Sequence, residues 1–110
     1  MIEIKVRDFF AENLSVPVYM EDPETPDDSY VVLSKTGTYR ANRIIDSTFM
    51  CKSYAPSKLE AARLNDSVTS ILEDLKADPD IGSVFINSDG DDTDTVTKRY
   101  RYQCVFVVTH

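Results

Sequence analysis

The sequence predicts an α+β fold: an antiparallel or mixed sheet of four to five strands, a long helix packed on one face, and a short N-terminal helix. Three observations carry this. The stretch SYAPSKLEAARLNDSVTSIL, Ser53–Leu72, places its apolar residues at the helical period. The runs on either side alternate apolar and polar residues at the period of a strand. The chain has 110 residues and is 42% hydrophobic, which makes residues 1–110 a single domain large enough for a real core.

Ile2, Val6, Phe9 and Phe10 fall on one side of a first helix over Ile2–Leu14. VPVYM, Val16–Met20, is a short strand, and Pro17 places it at an edge or a strand start because proline cannot donate to the ladder. The acidic EDPETPDD, Glu21–Asp28, is an exposed loop. SYVVLSKTG is rich in β-formers, and KTGT with Gly37 reads as the turn of a hairpin into a long strand, Tyr39–Tyr54. Within that strand Ile45, Ser47, Phe49, Cys51 and Ser53 share one face, opposite Asp46, Thr48, Met50 and Lys52.

The long helix opens with Ser57 and Glu60, spaced for a capping box that satisfies two otherwise unpaired backbone donors. Ala61, Leu64, Val68, Ile71, Leu72 and Leu75 then form a stripe about 100° wide. Leu59 lies on the polar side. Pro79 bars the helix from continuing. IGSVFIN is the next strand, SDGDDTDT an acidic connection, and KRYRYQCVFVVT the last strand. There Tyr100, Tyr102, Cys104, Phe106 and Val108 face one way, and Arg101, Gln103, Val105 and Val107 the other. Its second half is apolar on both faces, so the strand is central or is covered on its second face by another subunit.

Composition narrows the function. The net charge is −7, which opposes attraction to DNA phosphates. No apolar run is long enough to cross a bilayer, and MIEIKVRDFF lacks the features of a signal peptide, which points to a cytoplasm. Two cysteines, Cys51 and Cys104, make neither a metal site nor a disulfide framework and read as buried free thiols. His110 is the only histidine and stands last, where nothing is expected to hold it, so no Ser-His or Cys-His pair is expected from ordered segments. Three glycines make no phosphate loop. Asp89, Asp91, Asp92 and Asp94 fail the calcium-loop pattern, with Asp94 at the sixth place and Tyr100 at the twelfth. KRYRY mixes cations and aromatics as single-strand nucleic-acid surfaces do. Strand alternation separates the two sets, which favours core tyrosines and salt-bridging arginines. No cofactor or metal site is expected.

The order of elements, with EDPETP, YVVLSKTGTY, YAPSKLEAARLNDSVTSIL and the closing KRYRYQCVFVV, resembles the small tail terminator or tail completion proteins of long-tailed bacteriophages and prophages. The likeness spans nearly the whole chain. Its most specific pieces are Ser-x-x-Glu-Ala-Ala at Ser57–Ala62 and Arg-Tyr-Gln at Arg101–Gln103, neither of them an active-site signature. The resemblance implies a structural subunit rather than an enzyme, forming a six-fold ring at the head-proximal end of the tail after assembly in the host cytoplasm. Its implied partners are copies of itself, the tail tube protein and the head connector or neck protein, with no specific nucleic-acid binding and no membrane.

Such a ring needs two different patches that meet between neighbours. The charged candidates are Glu21, Asp22, Glu24, Asp27 and Asp28 on the acidic loop, against Lys98, Arg99 and Arg101 at the start of the last strand. The apolar candidates are Leu59, Val105 and Val107. Alternatives are a neck or head-completion protein of the same virion, a host-encoded oligomeric module, and a metal-dependent enzyme using the Asp89–Asp94 cluster.

Overall fold

The computed structural model describes residues 1–97 and 99–110. Its elements are α1 (Ile2–Asn13), β1 (Val18–Tyr19), β2 (Tyr30–Ala41), β3 (Ile44–Tyr54), α2 (Lys58–Leu75), β4 (Ser83–Asp91) and β5 (Arg101–Thr109). The five strands form one mixed sheet in the order β1-β2-β3-β5-β4. β1 runs parallel to β2, and every other neighbouring pair is antiparallel. The fold is the expected α+β arrangement.

The strands alternate as their sequences require, so one sheet face is built from Val31, Leu33, Phe49, Cys51, Cys104, Phe106, Val108 and Val84. Both helices cover this face. α2 lays Ala61, Val68, Ile71, Leu72 and Leu75 on it, and α1 adds Val6 and Phe10. Phe106 stacks against both Phe10, at 5.9 Å between ring centroids, and Phe49, at 5.4 Å. One aromatic row therefore ties α1 to the two central strands.

The start of α2 is held by its side-chain cap. Ser57 Oγ accepts the Glu60 backbone N–H at 3.2 Å. The return half differs from the expected box, because the Glu60 carboxylate accepts from the Ser57 hydroxyl, at 3.1 Å, rather than from a backbone N–H. The stripe also shifts at one place: Leu64 is half-buried, and Asn65 beside it is buried. Asn65 Nδ2 donates to Asp89 Oδ2 on β4 at 2.9 Å. An inward amide with a carboxylate partner avoids the cost of burying an unpaired donor.

Two strand boundaries differ from the sequence reading. β2 does not turn at Gly37. It continues to Ala41 through a bulge between Lys35 and Gly37, and Gly37 has no positive φ. The turn is Asn42–Arg43, with φ of 50° and 67°, between the paired residues Ala41 and Ile44. A two-residue turn with both central residues left-handed matches the twist of a hairpin. Asn tolerates that conformation, whereas Arg sits there at a cost of about 1–2 kcal/mol. Likewise β4 runs past Asn87 into the acidic segment as far as Asp91, with a bulge between Ile86 and Ser88. The bulge absorbs one residue and lets Ser88–Asp91 stay paired to β5.

β1 pairs with β2 only at Val31 and Val32, so Pro17 does stand beside an edge strand. Among the described residues, no strand lies along the outer edge of β2 from Leu33 to Ala41. Twelve strand residues span about 40 Å, close to the long dimension of the 44 × 25 × 24 Å molecule. The far end of the β2–β3 hairpin is accordingly an arm, exposed at every residue from Thr36 to Ile44.

Candidate interaction surface

Among the described residues, no helix lies on the second face of the sheet. β5 places Gln103, Val105 and Val107 there, and the register sets Met50 beside Val105 and both Thr48 and Phe85 beside Val107. Val105, Val107 and Met50 are half-buried, and Phe85 is 62% exposed. β5 is both central in the sheet and open on its second face. Neighbouring strands supply its backbone partners, but among the described residues no helix covers those side chains.

One end of this face is closed by a small cluster of Tyr30, Val32 and Tyr54, with Tyr19 at its margin. Tyr30 and Tyr54 stack with centroids 4.6 Å apart and planes 8° from parallel. The Arg99 guanidinium lies 4.8 Å over the Tyr54 ring and donates to the Tyr30 hydroxyl. Burial raises the Tyr30 phenol above its ordinary pKa, against the opposing pull of Arg99. Arg101 sits 6.0 Å from the same Tyr54 ring and donates from Nε to Asp92 Oδ2 at 2.9 Å and to the Asp92 carbonyl at 2.8 Å. The core tyrosines beside the arginines are thus Tyr30 and Tyr54. Tyr100 and Tyr102, expected in that role, are only half-buried.

Three of the charged candidates, Asp27, Asp28 and Arg99, gather within one chain. A groove of about 330 Å³ is lined by Asp27, Asp28, Tyr30, Tyr54 and Arg99, so the end of the acidic loop and the basic strand start face each other there. Asp27 is held by the Tyr19 hydroxyl at 2.7 Å. Glu21, Asp22 and Glu24 line a different groove, of about 550 Å³, with Val18, Tyr19 and Met20. Lys98 lies outside the described residues. Leu59 stands 61% exposed on the outer side of α2, away from Val105 and Val107 on the uncovered sheet face.

The chemical candidates take other roles. Each acid of the Asp89–Asp94 cluster has its own partner. Asp89 accepts from Asn65, Asp91 pairs with Lys58 at 2.8 Å, Asp92 with Arg101, and Asp94 Oδ1 accepts the Val96 and Thr97 N–H groups. Hydrogen bonds from Lys58 and Thr93 pull the Asp91 carboxyl down to about 2. Among the described residues no three His, Cys, Asp or Glu side chains are grouped to hold a metal ion, and no helix is long and apolar enough to cross a membrane.

His110 corrects an expectation. It exchanges two backbone hydrogen bonds with Ile45, at 2.9 and 3.2 Å, and its Nε2 lies 2.9 Å from Ser47 Oγ. A Ser-His pair therefore does form, because strand pairing fixes the histidine that the sequence left without a visible anchor. Ser47 is fully buried, so the contact fastens β5 to β3 and offers no hydroxyl to a substrate.

Cys51 and Cys104 are free, fully buried, and directly opposite one another on β3 and β5. Burial pushes both thiols up. Cys104 reaches about 11 with a further push from the Asp89 charge, and Cys51 rises higher still.

The chain matches no protein-family model and no curated protein.

Proposed function

We propose that the protein is a structural virion subunit that caps a phage tail tube as a ring, stops tube polymerisation and offers the joining surface to the head. The observation that carries this reading is the uncovered apolar sheet face of Met50, Phe85, Val105 and Val107. A sheet normally buries both apolar faces, and a ring supplies the missing layer from a neighbour, the tube or the connector. Net charge agrees, since a ring that DNA traverses works best when it does not hold phosphates. The order of elements and the Ser57–Ala62 and Arg101–Gln103 motifs support the same family likeness.

The partners of this reading are further copies of the chain, the tail tube protein and the head connector, at the head-proximal end of the tail. The test is deletion of the gene from the phage or prophage that carries it, with lysates viewed by electron microscopy. Filled heads without tails beside overlong tubes are expected. Tails of normal length left unattached would move the protein to the neck, and normal tails on filled heads would sink both roles.

A further inference from the structure

The β2–β3 arm concentrates positive charge in an acidic protein. Between Ser34 and Ile45 the chain carries Lys35, Arg40 and Arg43 and no acid, against a net charge of −7 for the whole. Lys35 is paired with Glu3 at 3.4 Å. Arg40 and Arg43 are exposed and make no ion pair among the described residues. Two large apolar side chains stand beside them: Tyr39 is 69% exposed and Ile44 53%. Arg43 also occupies the left-handed position of the turn, where glycine would rest without strain. The strain places a guanidinium at the very tip of the arm.

The complement lies at the other end of the same strand edge. The groove of about 550 Å³ beside β1 is lined by Val18, Tyr19 and Met20 together with the acids Glu21, Asp22 and Glu24. Its one cation, Arg7, is engaged by Asp8 at 2.9 Å. β1 meets β2 at Val32, nine residues before the end of the arm at Ala41. Nine strand residues span about 30 Å, so a chain cannot place its own arm in its own groove. Two aromatic or aliphatic side chains and two guanidinium groups match a groove lined by apolar side chains and three carboxylates.

We propose that the Tyr39–Ile44 arm of one copy docks in the Val18–Glu24 groove of a second copy, with Arg40 and Arg43 against Glu21, Asp22 and Glu24. The contact is head-to-tail, and a contact of that kind builds a ring where its rotation closes. It deepens the ring reading and rests on it for closure only; the pairwise contact stands on the charges and geometry above.

The experiment uses two altered chains, one with the arm charge reversed and one with the groove charge removed. Arg40→Glu with Arg43→Glu breaks the arm and leaves the groove intact. Glu21→Gln, Asp22→Asn and Glu24→Gln neutralise the groove, so that it attracts neither arm, and leave the arm intact. In sedimentation and light scattering the unaltered protein should self-associate with rising concentration, and more weakly at higher salt. Each altered chain alone should associate at least about tenfold more weakly. An equimolar mixture should give a one-to-one dimer that grows no further, because one working contact remains between the two chains. That dimer also demonstrates that both chains are folded. Arg43→Gly relaxes the turn and serves as the variant least able to unfold; it should melt no lower than the parent and still associate more weakly.

An unaltered protein that stays monomeric at about 1 mM, the weak end of specific association, would overturn the proposal. So would altered chains that assemble like the parent, or folded chains whose mixture stays monomeric. An arm alteration that abolishes oligonucleotide binding while self-association persists would assign the arm to nucleic acid instead. A dimerising mixture combined with a harmless gene deletion would leave the contact standing and remove only the tail-cap reading.

Discussion

Along β5, adjacent residues face two different environments. Cys104, Phe106 and Val108 point under the helices and are fully buried, while Val105 and Val107 point to the open side and are half-buried. The backbone ladder is the same for both sets, since Tyr102–Thr109 of β5 pair with both β3 and β4. Phe106 is enclosed by Phe10 above and Phe49 beside it. Val107 has Thr48 and Phe85 as its cross-strand partners. Burial from above is what converts an apolar side chain into folding stability. On the open side the same chemistry contributes little to the isolated chain and is available for association.

That contrast can be broken or sharpened by substitution. The largest effect is expected on the covered face: Phe106→Ala should destabilise the protein by about 3–5 kcal/mol, and Leu72→Ala on α2 by about 2–5 kcal/mol. Urea melts that move by less than half a kilocalorie would mean the covered face is misassigned.

The next effect is alkaline. The unfolded thiols of Cys51 and Cys104 ionise from about pH 9, whereas burial holds the folded Cys104 protonated to about 11 and Cys51 beyond it. The folded state then binds more protons than the unfolded one, so stability should fall as pH rises from 9 through 11. Denaturant midpoints measured across that window should decline, and Cys104→Ala should flatten the slope. A midpoint that does not change would show that the thiols reach water.

A smaller loss tests the seat of the helix that makes one face covered. Ser57→Ala removes the acceptor for the Glu60 N–H and should cost about 0.5–2 kcal/mol in thermal or urea melts. Ser57→Gly should cost only a few tenths. The smallest effect belongs to the open face. Val107→Thr keeps the β-branched shape and should change the stability of the isolated chain by no more than about 0.5 kcal/mol. A loss above 2 kcal/mol would reveal that some part of this chain packs on that face after all.

Much of the covered face was legible locally. The Ser57 cap, the stripe from Ala61 to Leu75 and the alternation of Phe49, Cys51, Cys104, Phe106 and Val108 each follow from spacing within one element. The hairpin turn was less so. KTGT has the residues of a turn, but the chain runs straight through it, because pairing β2 to β3 over its full length satisfies more backbone groups than a turn at Gly37 would allow. Asn42–Arg43 lacks the glycine that marks such turns, so its signal was faint. The candidate surface was partly legible: Val105 and Val107 stood out as apolar on the wrong side, and Glu21, Asp22 and Glu24 as part of an acidic loop, whereas the arm did not stand out.

By itself the sequence determined which residues lie on which face of each helix and strand, since those faces follow from the 3.6- and 2-residue periods of the backbone. Only the tertiary structure decided what those faces meet. It set Cys51 opposite Cys104, held His110 against Ser47, stacked Arg99 on Tyr54, and drew Asn65 inward to Asp89. Each of these joins residues at least 24 positions apart, and strand order and register, not local spacing, choose such partners. The same reason leaves the second face of β5 open. Periodicity shows that a residue is apolar, but whether a helix or another molecule covers it depends on where the chain crosses over, and both helices here cross on the other side.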